Sequence, residues 1–286
     1  MNQLEVQRDG KADLHMHTIH SDGTLAPREL VNKAKSVGLS TISITDHDNV
    51  NGLDEAIQQG SECNVAVIPG VEISAAVHHK EIHLLGYFFD PHHAQLQNFL
   101  STMRTERIQR AERIVRKLNT MNIPLNIDAV LRNAGNGAVG RPHIANALVQ
   151  SGYVQSYQEA FDKYLRNGGL AYEPRSEVSP DQVMKIIEQA GGLTFLAHPG
   201  RSIEDASVVE LIDMGLDGIE TIHPSHSQSV VQHFRNIVNE YYLLESGGSD
   251  YHGSIKGSDD ILGSVTVTGK IVENMRLRLF SKYNNA

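Results

Sequence analysis

Short apolar runs rich in β-branched residues alternate along this chain with amphipathic stretches of helical period, and histidines or carboxylates stand where the runs end. The stretch ADLHMHTIHSDGTLAP, residues 12–27, sets the pattern. His15 and His17 lie two apart in an apolar run, hence on one face of a strand. Asp22 follows in the turn Ser21-Asp22-Gly23, and Pro27 opens the helical stretch ELVNKAKSVG. LSTISITDHDN repeats the arrangement, ending in His47, and the helix VNGLDEAIQQG comes next. NVAVIPGVEIS reads as a strand broken at Pro69-Gly70 and carrying Glu72, and KEIHLLGYFFD as a strand with His83 in its middle.

Between residues 91 and 175 no stretch reads as a strand. FLSTMRTERIQRAERIVRKLNTMN places Leu96, Phe99, Leu100, Met103, Ile108, Ala111, Ile114, Val115 and Leu118 at helical spacing, and glycine-separated helices follow around DAVLRNAG, PHIANALVQSG and SYQEAFDKYLRNGG. Alternation resumes afterwards, with strands ending at His198, at His223 to His226, and at Ser249-Asp250-Tyr251-His252, then a short strand SVTVTG and a helix KIVENMRLRLF. About seven βα units predict an α/β barrel with ligands at the strands' C-terminal ends. The expected organisation is a first barrel part over 1–90, a helical insertion covering the site over 91–175, and a second barrel part over 176–286.

Composition narrows the chemistry. The 286 residues are 40% hydrophobic and 21% charged, with no apolar run long enough to span a membrane. The first residues lack a signal-peptide pattern, so the expected location is the cytoplasm. A net charge of −9 disfavours broad binding to double-stranded DNA but leaves room for a local basic pocket. One cysteine, Cys63, stands against fifteen histidines. A disulfide or thiolate-rich zinc site is therefore excluded, Cys63 reads as a small core residue, and any metal site must use imidazole and carboxylate, suiting Mn, Fe or Zn. Nothing in the pattern fixes an oligomeric state.

The candidate ligands are His15, His17, Asp22, His47, Glu72, His83, His198, Asp250 and His252. A lone His-x-His is more often a pair of satisfied polar residues, but repetition at successive strand exits makes a metal centre the stronger reading. A glutamate buried in an apolar strand is costly unless paired or coordinating, which makes Glu72 the natural bridge. Arg104, Arg107, Arg110 and Arg113 recur every third residue, mostly as a solvated face with one or two turned inward. His78, His79, His92 and His93 read as solvated loop residues.

The motifs His15-x-His17, Thr45-Asp46-His47, Pro69-Gly70-Val71-Glu72, Ala197-His198-Pro199-Gly200 and Ser249-Asp250-x-His252 together resemble the PHP (polymerase and histidinol phosphatase) family over nearly the whole chain. That resemblance implies a distorted (β/α)7 barrel, a centre of two or three divalent ions, Mn foremost, and phosphoester hydrolysis, with Glu72, Asp250 and His198 as catalytic groups. It implies one ion on His15, His17, Glu72 and Asp250, a second on Glu72, His83 and His198, and a third on Asp22, His47 and His252. Asp22 stands where some branches have histidine. Gly140-Arg141-Pro142-His143 and Phe161-Asp162-Lys163-Tyr164-Leu165 resemble the branch that removes the 3′-phosphate of nucleoside 3′,5′-bisphosphates, whose relatives trim short RNA from the 5′ end.

For the substrate, a small phosphorylated nucleotide or the 5′ end of a short RNA, Arg141 and Arg201 are expected to hold phosphate. His143, Ser225 and His226 are weaker expected contacts. The competing readings are a histidinol-phosphate phosphatase and a catalytically silent metal-binding accessory module.

Overall fold

Residues 6–175, 177–200, 203–253 and 261–284 are described by a computed structural model of the chain; Arg201 lies outside them. Eight strands form one sheet: β1 (Lys11–Asp13), β2 (Leu39–Ile44), β3 (Ala66–Val77), β4 (Lys80–Tyr87), β5 (Leu193–Leu196), β6 (Gly218–Ile222), β7 (Leu244–Gly247) and β8 (Val267–Thr268). Their order is β7-β6-β5-β4-β3-β2-β1-β8. The sheet curls until the exits of β1 and β7 meet, where the Leu14 N–H donates to Gly247 O (3.1 Å) and the His17 N–H to Tyr251 O (2.8 Å). This is a nearly closed barrel, and the short strand expected in SVTVTG is β8.

The regular βα alternation fails at β3 and β4, which form an antiparallel hairpin with Val77 opposite Lys80. The two-residue loop between them, His78-His79, has φ of +47° and +64°. Both loop residues are therefore left-handed, the turn whose twist matches a hairpin, although the sequence lacks the usual Asn-Gly signal. β4 is in turn antiparallel to β5, and β8 to β1. Nor does Pro69-Gly70 break β3: residues 66–69 pair with β2, and residues 70–77 pair with β4. Gly70 is required there, because a Cβ would lie 2.1 Å from Ser43 Oγ and 2.7 Å from Ile44 O.

Helices α1 (Pro27–Ser36) and α2 (Leu53–Cys63) cover the sheet's first strands, with Leu30, Val31, Ala34, Leu53 and Ala56 buried against Ile42 and Ile44. Cys63 is half-buried at the edge of this core. Between β4 and β5 run α3 (Ala94–Thr120), α4 (Ile127–Ala134), α5 (Arg141–Gln150), α6 (Tyr157–Ala160) with a π-helical turn (Phe161–Leu165), and α7 (Pro180–Gln189). At 1.5 Å per residue α3 is about 40 Å long, enough to serve two cores. Its first half buries Leu96, Leu100 and Met103 in the barrel core, and its second half buries Ala111, Ile114, Val115 and Leu118 with α4 and α5 in a separate cluster. Ile108, expected on that stripe, is exposed; Arg107 and Arg110 hold the inward positions at the junction of the two cores. Helices α8 (Asp205–Asp213), α9 (Gln228–Glu240) and α10 (Gly269–Asn284) complete the outer layer.

Candidate metal centre

Every expected ligand converges at the strand exits, around Glu72. Its side chain is 1% exposed, and its two oxygens face different histidines. Oε1 lies 2.6 Å from His83 Nδ1 and 2.9 Å from His198 Nε2. Oε2 lies 3.3 Å from the Nε2 atoms of His15 and His17 and 3.1 Å from His47 Nδ1. Asp250 Oδ1 closes the other side, 3.4 Å from His15 Nε2 and 3.1 Å from His17 Nε2. Asp22 Oδ1 approaches His252 Nε2 at 3.2 Å and His17 Nδ1 at 3.7 Å. Four donor groups emerge with atoms close enough to share an ion: His15-His17-Asp250, His15-Glu72-His198, His47-Glu72-His83, and His17-Asp22-His47-His252. His17 thus belongs also to the group around Asp22, a role the sequence did not assign it.

The donor set fits divalent ions on a further count. His17 Nε2, His47 Nδ1, His83 Nδ1 and His252 Nε2 are buried and face carboxylate oxygens of Glu72, Asp250 and Asp22. A neutral imidazole lone pair held dry against a carboxylate oxygen is costly. Ions bound at about 2.0–2.2 Å would use these lone pairs, and adjacent donors on one ion stand about 3 Å apart, as they do here.

Two of the outward ring nitrogens are held by groups that fix the tautomer. His15 Nδ1 pairs with Glu220 Oε1 (3.0 Å), and His252 Nδ1 with the Asp250 carbonyl (2.7 Å). A donor N–H on that side leaves a lone pair on the cluster side. Glu220 also accepts the His198 backbone N–H (2.7 Å). Asp46 accepts from the Thr18 N–H, the Thr18 hydroxyl and the Ser21 hydroxyl, pinning the loop that carries Asp22. His198 and Asp250 have φ of +25° and +50°, left-handed conformations that cost non-glycine residues about 1–3 kcal/mol. Burial alone would raise Glu72's pKa, but His47, His83 and His15 overcome it and hold the carboxyl well below its usual range. Asp250 is likewise lowered, burial being outweighed by His252, His15, His17 and His223.

Beside the cluster opens a cavity of about 420 Å³ with His47, His83 and Asp22 in its wall and Arg107, Arg110, Arg141, Arg166 and Arg175 around it. Asp48 and Glu81 pair with four of these cations. Arg107 Nε donates to Asp48 Oδ2 (2.5 Å) and Arg175 Nε faces Glu81 Oε1 (3.1 Å), with Arg141 and Arg110 at 3.7 and 4.0 Å from Glu81. Arg175 is pushed down to about 9 by burial and by Arg107, although Glu81 and Asp48 oppose the shift.

The expected substrate contacts fare unevenly. Arg141 lines the cavity while its Nη1 donates to Leu165 O and Asn167 Oδ1. His143 is buried, its Nδ1 accepting the Gly140 N–H at the start of α5. His226 uses both nitrogens on backbone, Nδ1 donating to Thr221 O and Nε2 accepting from the Gly200 N–H. Ser225 is exposed and pairs with His223. His78, His79 and His92 are exposed as expected, and His93 is half-buried.

Sequence reasoning missed Glu220, His223, Glu81 and Arg175. Glu220 sits in the apolar strand GIETI, where a buried glutamate carries the same signal as Glu72 in its own apolar run. His223 Nε2 lies 3.5 Å from Asp250 Oδ2. Glu81 and Arg175 carry no local signal, because only the fold brings them together.

Known proteins resemble this chain over most of its length. The PHP domain model matches residues 13–169. The 5′-3′ exoribonuclease Rnm of Escherichia coli K12 is 34% identical over 84% of both chains. The 3′,5′-nucleoside bisphosphate phosphatase of Chromobacterium violaceum is 31% identical over 87% of this chain and 90% of that protein. A solved structure from Bifidobacterium adolescentis, assigned as a metal-dependent phosphoesterase, superposes with a TM-score of 0.86 at 32% identity, covering 93% of this chain and 96% of its own.

Proposed function

The chain belongs to the PHP-domain family of metal-dependent phosphoesterases, and from that premise we propose that it cleaves at the 3′-oxygen of nucleotides that also carry a 5′-phosphate. Its substrates are nucleoside 3′,5′-bisphosphates, which lose the 3′-phosphate, and short 5′-phosphorylated RNA, which is shortened from its 5′ end. The observation that carries this reading is the arginine-lined cavity adjoining the ligand cluster. Both substrates present a 5′-phosphate and, one ribose away, a phosphoester on the 3′-oxygen. One site can therefore take either, with Arg107, Arg110, Arg141 and Arg175 around the 5′-phosphate and the scissile ester over Glu72. Relatives named for each of the two activities support the same pairing.

In this reading His15, His17, Asp22, His47, Glu72, His83, His198, Asp250 and His252 hold two or three divalent ions, with Mn as the proposed metal. The chemistry such ions supply is activation of water at neutral pH and neutralisation of charge on the phosphoryl oxygens. Glu72 stays ionised and fixes the spacing of the two histidine sets. Asp250 and His198, whose side chains are 28% and 27% exposed, border the space that substrate enters. The guanidinium groups orient the nucleotide, and Arg–phosphate pairing is suited to that by its fork geometry.

The test compares adenosine 3′,5′-bisphosphate, a short RNA with a 5′-phosphate, the same RNA with a 5′-hydroxyl, and histidinol phosphate, all with added Mn. Turnover of the first two, with the 5′-hydroxyl RNA cut at least about tenfold more slowly for want of one charge-assisted contact, is expected. Hydrolysis of histidinol phosphate alone would overturn the substrate assignment, and metal binding without turnover of any of the four would favour a silent module.

A further inference from the structure

A second cavity, of about 400 Å³, lies at the start of β3 and the end of β4, away from the strand exits that carry the ligands. Its volume falls in the range of small-molecule sites. Ile57, Val67, Pro69, Phe88 and Phe89 give it an apolar wall, and Arg276 of α10 contributes the cation. Arg276 forms no salt bridge among the described residues, and its buried Nε has no hydrogen-bond acceptor. Burial lowers its pKa with no carboxylate to counter it. The carboxylates at the cavity's edge are engaged elsewhere: Asp54 Oδ1 pairs with His92 Nε2 (3.2 Å), and Asp90 Oδ1 accepts the His92 backbone N–H (2.9 Å). Phe88 is held at a φ of +64°, a conformation rare for an aromatic residue and one that tends to persist at ligand sites.

A buried donor without an acceptor is costly, and an apolar hollow leaves the wall without packing partners. Both deficits are met by one kind of occupant. We propose that this cavity binds a small amphiphilic organic anion, its apolar body against Ile57, Val67 and the two phenylalanines and its anionic group on Arg276. The charge requirement excludes a neutral apolar ligand as the best fit, and the apolar wall excludes inorganic phosphate.

The probe is 8-anilinonaphthalene-1-sulfonate, an aromatic anion that fluoresces in apolar surroundings, titrated against the intact chain with Mn and inorganic phosphate present to occupy the arginine-lined site. The uncharged analogue N-phenyl-1-naphthylamine is titrated in parallel. Saturable binding of the sulfonate is expected, weakened about tenfold or more by Arg276→Met, which keeps the side chain's bulk and removes a charge-assisted contact. The neutral analogue should bind more weakly than the sulfonate and be indifferent to Arg276→Met. Ile57→Trp should fill the cavity and abolish binding of both; the chain has no tryptophan, so its emission also reports that the site is folded and apolar. Val67→Phe is the alternative filler if Ile57→Trp does not fold. Equal sulfonate affinity in wild type and Arg276→Met, or binding that survives a folded filler variant, overturns the proposal, as does the absence of saturable binding to wild type.

Discussion

Glu72 fixes the cluster's geometry more than any single histidine does, because its two oxygens face separate sets of ring nitrogens. Glu72→Gln keeps the shape and removes the charge. It should leave the chain folded by circular dichroism while lowering phosphoester turnover by about a hundredfold or more, on the scale of a lost electrostatic contact to the reacting group. Retained turnover would remove Glu72 from the bridging role. Glu220 acts one step further out, holding the His15 ring and the His198 backbone. Partners of this kind are worth about 10–100-fold in metal affinity. Glu220→Gln should therefore weaken Mn binding by that factor in a metal titration, with activity restored at higher Mn concentration. A purely structural glutamate would instead lower stability without that rescue.

Among the elements, β3 changes partner midway, pairing first with β2 and then with β4. Gly70 makes the exchange possible by letting Ser43 and the Ile44 carbonyl approach the backbone. Gly70→Ala should cost about 2 kcal/mol or more, since a methyl group forced into a filled space shifts backbone rather than a side-chain end; the denaturant midpoint reads this directly. Helix α3 poses a different problem, placing Arg107 and Arg110 where a regular amphipathic helix would place leucines. Arg107 is tolerated because it is paired with Asp48 in a site where both are buried. Arg107→Met leaves Asp48, among the described residues, with the Ser74 N–H on Oδ1 (3.3 Å) and the more distant Arg175 at 3.6 Å. Breaking a buried pair costs about 3–5 kcal/mol, so the variant should unfold at clearly lower denaturant than wild type even though a methionine is more apolar.

At the scale of the molecule, the barrel's closure gathers residues 15 to 252 into one cluster of buried carboxylates and imidazoles. Ligands that bind only the folded state stabilise it, by about 2.7 kcal/mol at a hundred times their dissociation constant. Chelator treatment should therefore lower the midpoint of thermal unfolding by about 5 °C or more, and Mn should restore it. A midpoint indifferent to chelator and Mn would speak against the metal centre. None of the described helices is long and apolar enough to cross a membrane.

What the sequence determined by itself was the period of each element and the identity of the donors: alternation and helical spacing are local properties, and a histidine or carboxylate at a strand exit is visible without a fold. Ile42 and Ile44, Glu72 in its apolar run, and the helices over 91–175 were legible for that reason. The tertiary structure alone decided how the strands pair and which charges meet. The His78-His79 turn reverses β4 without a glycine, so an antiparallel hairpin looked like two successive strands of a parallel barrel. Ile108 and Arg107 are neighbours on one helix, and only packing against Asp48 determines that the arginine faces inward. Glu81 and Arg175 are 94 positions apart in sequence and 3.1 Å apart in space, a proximity that long-range chain closure creates and that no local pattern can encode.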